Sequence, residues 1–455
     1  MQYSTFAAID IGSYDVILEI FEISKKQGIR SVDKICHRME LGKDTYTLGK
    51  IRPEMEEELC RVLADFVRIM EGYRVDDYRA AASSAISEAS NSLYVLGKIH
   101  QLTGLSVTVL SNSEQRFLSY KALAAMEDNF NKIIEKGTAI LDLDGGSFQI
   151  SLFDKDALVT TQNIRMGSLR IRERLAGIQS ETEHYEEMVE ELIWNEVSSF
   201  KKMYLKDRKI ENIMLIGDVF TDSVYQNIEE KTTKIISREN FNTWYEKIIR
   251  QSPMELAVKL GIPLENASLM YPSAVIYKCL IDMMGAEHIW IPGVHMTRGI
   301  AYEYAEQMKL LKGGHNFEND ILMAAKNIGK RYAVNRPHVQ NLEMTALAMF
   351  DATKKMHGMK ERERLLLQMA VMLHDVGKYI SFNNVADSSY NIIMSNEIIG
   401  LSHIEREMVA LIARYNTVTL PSYDELVMES SLSAEQYLTP LQFRFPHAVG
   451  GEDRE

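Results

Sequence analysis

Two stretches of this chain follow one plan. Residues 6–21, FAAIDIGSYDVILEIF, and residues 138–154, TAILDLDGGSFQISLFD, each pass from an apolar run to an aspartate, a turn containing Gly-Ser, and a second apolar run with an acidic end. Apolar β-rich runs joined by so short a turn pair as a hairpin. Aligned on Asp10 and Asp142, the second copy has one extra turn residue. A recurring strand–turn–strand unit predicts an α/β architecture of two related lobes, each opening with the same hairpin. A third glycine turn, at Gly217, follows the β-rich run 213–216.

Pro53 stands at the start of a helical pattern over 54–70, 106–110 is a short β run, and 114–126 is helical. Residues 299–311 read as a helix and KGGHN (312–316) as a linker. From 317 to 416 the pattern is amphipathic helices, such as 362–380 and 403–416, with almost no strand signal. At roughly 150 residues per domain, 455 residues suggest about three domains. The expected layout is a first lobe over 1–122, a second over 123–311 with a helix near 298–311 able to return to the first, and a helical domain over 316–455.

Composition excludes several classes of partner. With 46% hydrophobic residues, 25% charged and 9 Pro, the chain is not a disordered one. The formal charge of −13 argues against a nucleic acid or an anionic membrane as partner. Cys36, Cys60 and Cys279 have no zinc or disulfide spacing and suggest a reduced compartment. No apolar run approaches the ~20 residues that span a bilayer, and MQYSTFAAID lacks the pattern of a signal peptide. A cytoplasmic location without membrane contact is expected. The 25 Met read as core filler.

Four features could carry chemistry. Turn glycines expose consecutive N–H groups that bind phosphate oxygens, and an aspartate at the strand end can hold a divalent cation that screens them. Asp10 with Gly12 and Ser13, and Asp142 with Gly145, Gly146 and Ser147, supply this equipment twice; ordinary hairpin turns use the same residues. Glu114 in LSNSEQRF (110–117) lies near a helix N-terminus and could deprotonate a water; Ser111–Glu114 is equally a capping box. His338 with the His374-Asp375 pair could seat a metal or cross-link helices. Basic residues crowd 326–378, as a polyanion track or a solvated helical face.

In order and spacing these motifs resemble the exopolyphosphatase and guanosine-pentaphosphate phosphohydrolase family over almost the whole chain. The landmarks are AAIDIGS (7–13), SSAISEASN (83–91), LSNSEQR (110–116), LDLDGGS (141–147), MGSLRI (166–171), TRGIAYE (297–303), HVQNLEMTALAMFD (338–351) and LHDVGKYI (373–380). The resemblance implies two actin-like (RNase H-like) lobes with the active site in the cleft, followed by an HD-like helical domain. It implies release of terminal phosphate from polyphosphate or guanosine pentaphosphate with Mg²⁺ (or Mn²⁺), in a homodimer. Glu114 matches the family's general base and Asp142 its metal-associated aspartate, with Asp10 and Asp144 as further metal candidates. Gly12, Ser13, Gly145, Gly146, Ser147 and Gly217 match phosphate-binding positions. The alternative is a member with impaired catalysis that binds polyphosphate or nucleotide for regulation.

Departures from the family fall on the chemistry. DIGSYD replaces DxGSNS, so Tyr14 and Asp15 add bulk and charge to the first turn. Ser87 stands for an Arg, Asn112 for a Gly, Asp144 for a Gly and Gln149 for a Glu, while Gln115 and Arg116 follow Glu114. Gly217-Asp218-Val219 replaces a Gly-Gly-Thr-Ala loop, and Asp15, Asp144 and Asp218 are expected around one cleft, recruiting metal or weakening polyphosphate binding. After Thr439 the tail PLQFRFPHAVGGEDRE has no helical period, which fits a truncated or frame-altered C-terminus.

Overall fold

The computed structural model describes residues 4–126, 130–155, 157–176, 185–227, 235–311, 315–416, 420–427 and 430–443. The chain divides into two compact units, Met1–His315 and Asn316–Glu455. Residues 312–314 of the expected linker lie outside the described residues.

The first unit is built on two mixed sheets. One contains β1 (Ser4–Ile11), β2 (Asp15–Ser24), β3 (Gly28–Arg38), β4 (Asp77–Ala82) and β5 (Val107–Val109), in the order β3-β2-β1-β4-β5. The other contains β6 (Thr138–Leu143), β7 (Phe148–Asp154), β8 (Ala157–Ile164), β9 (Asn212–Ile216), β10 (Ile235–Ser237) and β11 (His288–Trp290), in the order β10-β11-β9-β6-β7-β8. Read from β8, the second sheet repeats the order of the first and adds β10 at its edge. In each, an antiparallel hairpin leads to a parallel neighbour: β1 pairs with β2 and β4, β6 with β7 and β9. Asp10 and Asp142 are both the next-to-last residue of their strands, so the repeated strand order brings them to equivalent strand ends.

Strand alternation explains why β1 is a nearly unbroken apolar run. Ala7, Ile9 and Ile11 face one core with Leu59, Leu63 and Phe66 of the helix Pro53–Gly72. Phe6 and Ala8 face the other, with Ile300 and Tyr304 of the helix Met296–Gln307. The Phe6 and Tyr304 rings stack at 4.1 Å. This last helix of the unit therefore packs on the first sheet.

The second unit is helical among its described residues, with Phe317–Arg331, Arg336–His357, Glu361–Leu373, Val385–Ser395, His403–Arg414 and Ala434–Phe443 as its longer helices. The helix expected over 362–380 stops at Leu373. Ser389 accounts for the break: its hydroxyl donates to the His374 carbonyl and accepts from the Gly377 amide. Val376–Tyr379 continues as a tight 3₁₀ turn. Some of the basic residues here are paired, Arg362 with Glu405, Arg364 with Asp351 and Lys354 with Glu361. The last helix runs past Thr439 through Pro440 to Phe443, contrary to the expected loss of helical period; residues 444–455 lie outside the described residues. No helix among the described residues is long and apolar enough to cross a membrane.

Candidate active site

A cavity of about 240 Å³ opens in the first unit, bordered by both sheets. The first sheet contributes Asp10, Gly12, Ser13, Tyr14 and Asp15, and the second contributes Asp142, Asp144 and Gly217. Gln115 and Arg116 enter from the helix Asn112–Met126. The cations on its wall are Lys34, Arg38 and Arg116, and its carboxylates are Asp10, Asp15, Asp142, Asp144 and Asp222.

The two turns touch instead of facing each other across open space. A side chain at Gly145 would come within 3.1 Å of both Ser13 and Tyr14, and one at Gly146 would collide with Tyr46 and Ser84. Ser13 Oγ shares hydrogen bonds with Tyr46 Oη (2.8 Å) and Ser84 Oγ (3.3 Å). Arg170 covers the Tyr46 ring at 3.9 Å and is held there by Glu88. Tyr14 is buried within the hydrophobic core of the second lobe. The bulk that Tyr14 adds to the first turn thus fastens one lobe to the other.

Of the expected phosphate-binding residues, Gly12, Ser13 and Gly217 line the cavity, whereas Gly145, Gly146 and Ser147 do not. The Gly12 amide donates to the Asp15 carbonyl at 2.9 Å. The Gly146 amide donates to Asp144 Oδ1 at 3.2 Å. The chain's own carboxylate has taken a donor expected to serve phosphate. Asp218 is also placed differently from expectation. It does not line the cavity; its Oδ1 accepts from the Thr221 amide (3.1 Å) and the Tyr277 hydroxyl (3.2 Å), capping the helix Val219–Asn227.

Glu114 does not line the cavity, although its neighbours Gln115 and Arg116 do. The capping box is formed: Ser111 donates to Glu114 Oε2 from its amide (2.9 Å) and its hydroxyl (2.8 Å), and the Glu114 amide returns a bond to Ser111 Oγ. Both of these bonds to the carboxylate fall on Oε2.

Arg116 is the residue the motif reading passed over. Its Nη1 donates to Asp142 Oδ1 at 2.7 Å, and its Nη2 lies 3.2 Å from Ser147 Oγ and 3.6 Å from Asp144 Oδ2. Gln115 Nε2 also donates to Asp144 Oδ2, at 3.1 Å. Burial, reinforced by Asp15 and Asp144, holds Asp10 well above the usual carboxylate range. Burial also raises Asp142, against the opposing pull of Arg116. The signal in the sequence was an Arg two residues beyond Glu114 on a helix otherwise rich in Ala and Ser, where a charge is buried only with a partner.

Asp10, Asp142 and Asp144 do not fit a divalent ion as its protein ligands. Two of the three are paired with Arg116. Among the described residues the cleft carboxylates form no group of three ligand atoms within 4.8 Å. Such a group does form in the second unit, from His338, His374 and Asp375. There His374 Nδ1 lies 2.8 Å from the Val371 carbonyl, which requires it to donate and leaves Nε2 with a lone pair. Burial lowers the His374 pKa, favouring that neutral ring. These residues border a second cavity of about 420 Å³ with Lys378 and Asn416.

A family model described as the Ppx/GppA phosphatase family matches residues 20–308, and one described as Ppx/GppA phosphatase, domain III, matches residues 322–439. The chain is 19% identical over 444 residues to the guanosine-5'-triphosphate,3'-diphosphate pyrophosphatase of Vibrio atlanticus, covering 96% of this chain and 85% of that one. It is 21% identical over 310 residues to the bifunctional 3-dehydroquinate synthase/phosphatase of Fusobacterium nucleatum, covering 62% of this chain and 44% of that relative. The chain thus spans less than half of that relative's length. Two solved structures share the fold. One is the Aquifex aeolicus Ppx/GppA family member (TM-score 0.56, 17% identity, 68% of this chain and 99% of that one). The other is an exopolyphosphatase from Cytophaga hutchinsonii (TM-score 0.59, 17% identity, 67% of this chain and 98% of that one). With one family model spanning more than half of its residues, the chain belongs to the Ppx/GppA phosphatase family.

Proposed function

We propose that the first unit hydrolyses the terminal phosphoanhydride bond of inorganic polyphosphate or of guanosine pentaphosphate, within the cavity between its sheets. The observation that carries this reading is that cavity's composition: duplicated strand-end aspartates and turn residues of two sheets meet there with Lys34, Arg38 and Arg116. At about 240 Å³ it is smaller than the ~300–1,000 Å³ of drug-sized pockets, a size suited to the end of a phosphate chain. Arg116 borders the cavity, and its Nε is buried without a hydrogen-bond partner. Mg²⁺ or Mn²⁺ enters this reading with the substrate, as the counter-ion of the polyphosphate.

Glu114 is the proposed base on the strength of the motif it occupies; it borders the cavity only through its neighbours Gln115 and Arg116, with Oε2 held by Ser111. The water oxygen attacks phosphorus as the bridging P–O bond breaks, and the displaced phosphate leaves with the bridging electrons. The helical unit is read as HD-like, from His338, His374 and Asp375.

The test follows phosphate release from tripolyphosphate and, separately, from guanosine pentaphosphate. Gln satisfies the same capping box, so Glu114→Gln is expected to keep the melting temperature and to lower release by about 100-fold. Unchanged release would remove Glu114 as the base. A second reading, binding without turnover, is favoured by the contact between the two turns; calorimetric binding of tripolyphosphate with no release would establish it.

A further inference from the structure

We propose that Arg116 is this cleft's built-in cation, occupying the position between Asp142, Asp144 and Ser147 so that the free protein takes up no divalent metal there. The inference deepens the proposed function and rests on it only for the location of the site.

Arg116 is 2% exposed. Its two terminal nitrogens reach three partners on the β6–β7 turn: Asp142 Oδ1, Asp144 Oδ2 and both oxygens of Ser147. A guanidinium is planar, permanently charged and delivers several donors in a fixed fork, so one side chain can bridge such a set. Asp144 is engaged further by Gln115 Nε2 on one oxygen and by the Gly146 amide on the other. Asp142 Oδ2 and Asp10 Oδ1 are buried outside this set of contacts, and the Ser119 hydroxyl lies beside the Asp142 carboxyl. A divalent ion at Asp142 and Asp144 would have to displace these N–H donors and sit beside a fixed like charge. The β6–β7 turn is therefore organised in the ligand-free protein by the chain itself. Arg116 Nε is the one nitrogen of the guanidinium buried without a hydrogen-bond partner.

The experiment is a titration of Mn²⁺ alone, without phosphate, into the metal-free full chain, with bound ion counted by electron paramagnetic resonance. Any ion held at His338, His374 and Asp375 contributes equally to every variant and cancels. Wild type and Arg116→Lys are expected to match, because both keep the charge. Arg116→Ala is expected to gain one ion, bound at least ~100-fold more tightly than at the same place in wild type, a conservative figure for one unit charge a few ångströms away at an effective dielectric of 20. Adding Asp144→Asn should abolish that gain. Failure of Arg116→Ala to gain an ion overturns the proposal. Where Arg116→Ala does not fold, wild type against Asp144→Asn decides: equal uptake supports the proposal, and uptake lost on Asp144→Asn overturns it. Phosphate release is read separately, so failure of the hydrolase assignment leaves this result standing.

Discussion

Gly299→Val is expected to destabilise the first unit by about 4 kcal/mol or more, among the larger effects a single substitution produces. The helix Met296–Gln307 meets the helix Asn112–Met126 backbone to backbone at this residue. A Cβ on Gly299 would lie 3.0 Å from Leu118 Cα, 2.5 Å from its carbonyl carbon, and closer still to its oxygen. Those atoms belong to a helix and cannot rotate away as a side-chain tip would. Relief requires the helices to part, which would draw Ile300 and Tyr304 off Phe6 and Ala8 and displace the helix carrying Glu114 and Arg116. Ordinary overpacking costs about 1–3 kcal/mol; a clash with backbone belongs above that range. Helix propensity alone would predict the opposite sign, since an interior Gly costs about 1 kcal/mol against Ala. Trp194, Trp244 and Trp290 all lie in the first unit, so tryptophan fluorescence reports its unfolding selectively. A loss of this size should lower that transition by roughly 6 °C, from an unfolding entropy of about 2.1 cal/mol/K per residue over the unit Met1–His315. An unchanged transition would mean the helices do not cross at Gly299.

The hairpins were legible in the sequence because their information is local. Residues 6–21 and 138–154 alternate or run apolar around a short turn, and β1, β2, β6 and β7 form there. The helix after Pro53 was legible for a similar reason: the proline at its first position and the apolar spacing agree. The strand continuing each hairpin was less visible. β3, GIRSVDKICHR, is largely polar and exposed on an outer strand, so it carries no burial pattern. The stop at Leu373 was hidden because it depends on Ser389, a residue of another helix.

In the site, the motifs gave the positions of Asp10 and Asp142 but not their partners. Arg116 reaches residues 26 and 31 positions further along the chain. Tyr14 lies between the lobes only once both have folded. Motif reading placed Asp144 and Asp218 together as excess charge. Folding neutralises the first with Arg116 and turns the second inward as a helix cap.

Asp218→Asn is expected to stabilise the protein at pH 8 by up to about 4 kcal/mol. Burial raises the Asp218 carboxyl from its ordinary 3.8 to about 7, and each tenfold change in proton affinity is worth about 1.36 kcal/mol. The Ser273 hydroxyl, the Thr221 amide and the Tyr277 hydroxyl oppose that rise without cancelling it. The sign follows from proton counts. Between about pH 4 and 7 the folded state holds a proton that the unfolded state has already lost, so stability falls as pH rises through that window and levels off above it. Wild type should therefore lose about 2 kcal/mol from this group between pH 5.5 and 8. Asp10, Asp15 and Asp142, raised chiefly by burial, act with the same sign. Asparagine is as good an N-cap as aspartate and keeps an oxygen to accept from the Thr221 amide and the Tyr277 hydroxyl, so the substitution removes the charge and retains the cap. Urea midpoints followed by tryptophan fluorescence at pH 5.5 and 8 measure the effect in both proteins. A steep decline in wild type and a shallower one in Asp218→Asn is the expected pair of results; identical slopes would show that Asp218 is already ionised at pH 5.5 in the folded protein. That outcome would mean that the Ser273, Thr221 and Tyr277 donors outweigh burial, because a buried carboxylate stays charged only where hydrogen bonds or a cation compensate it.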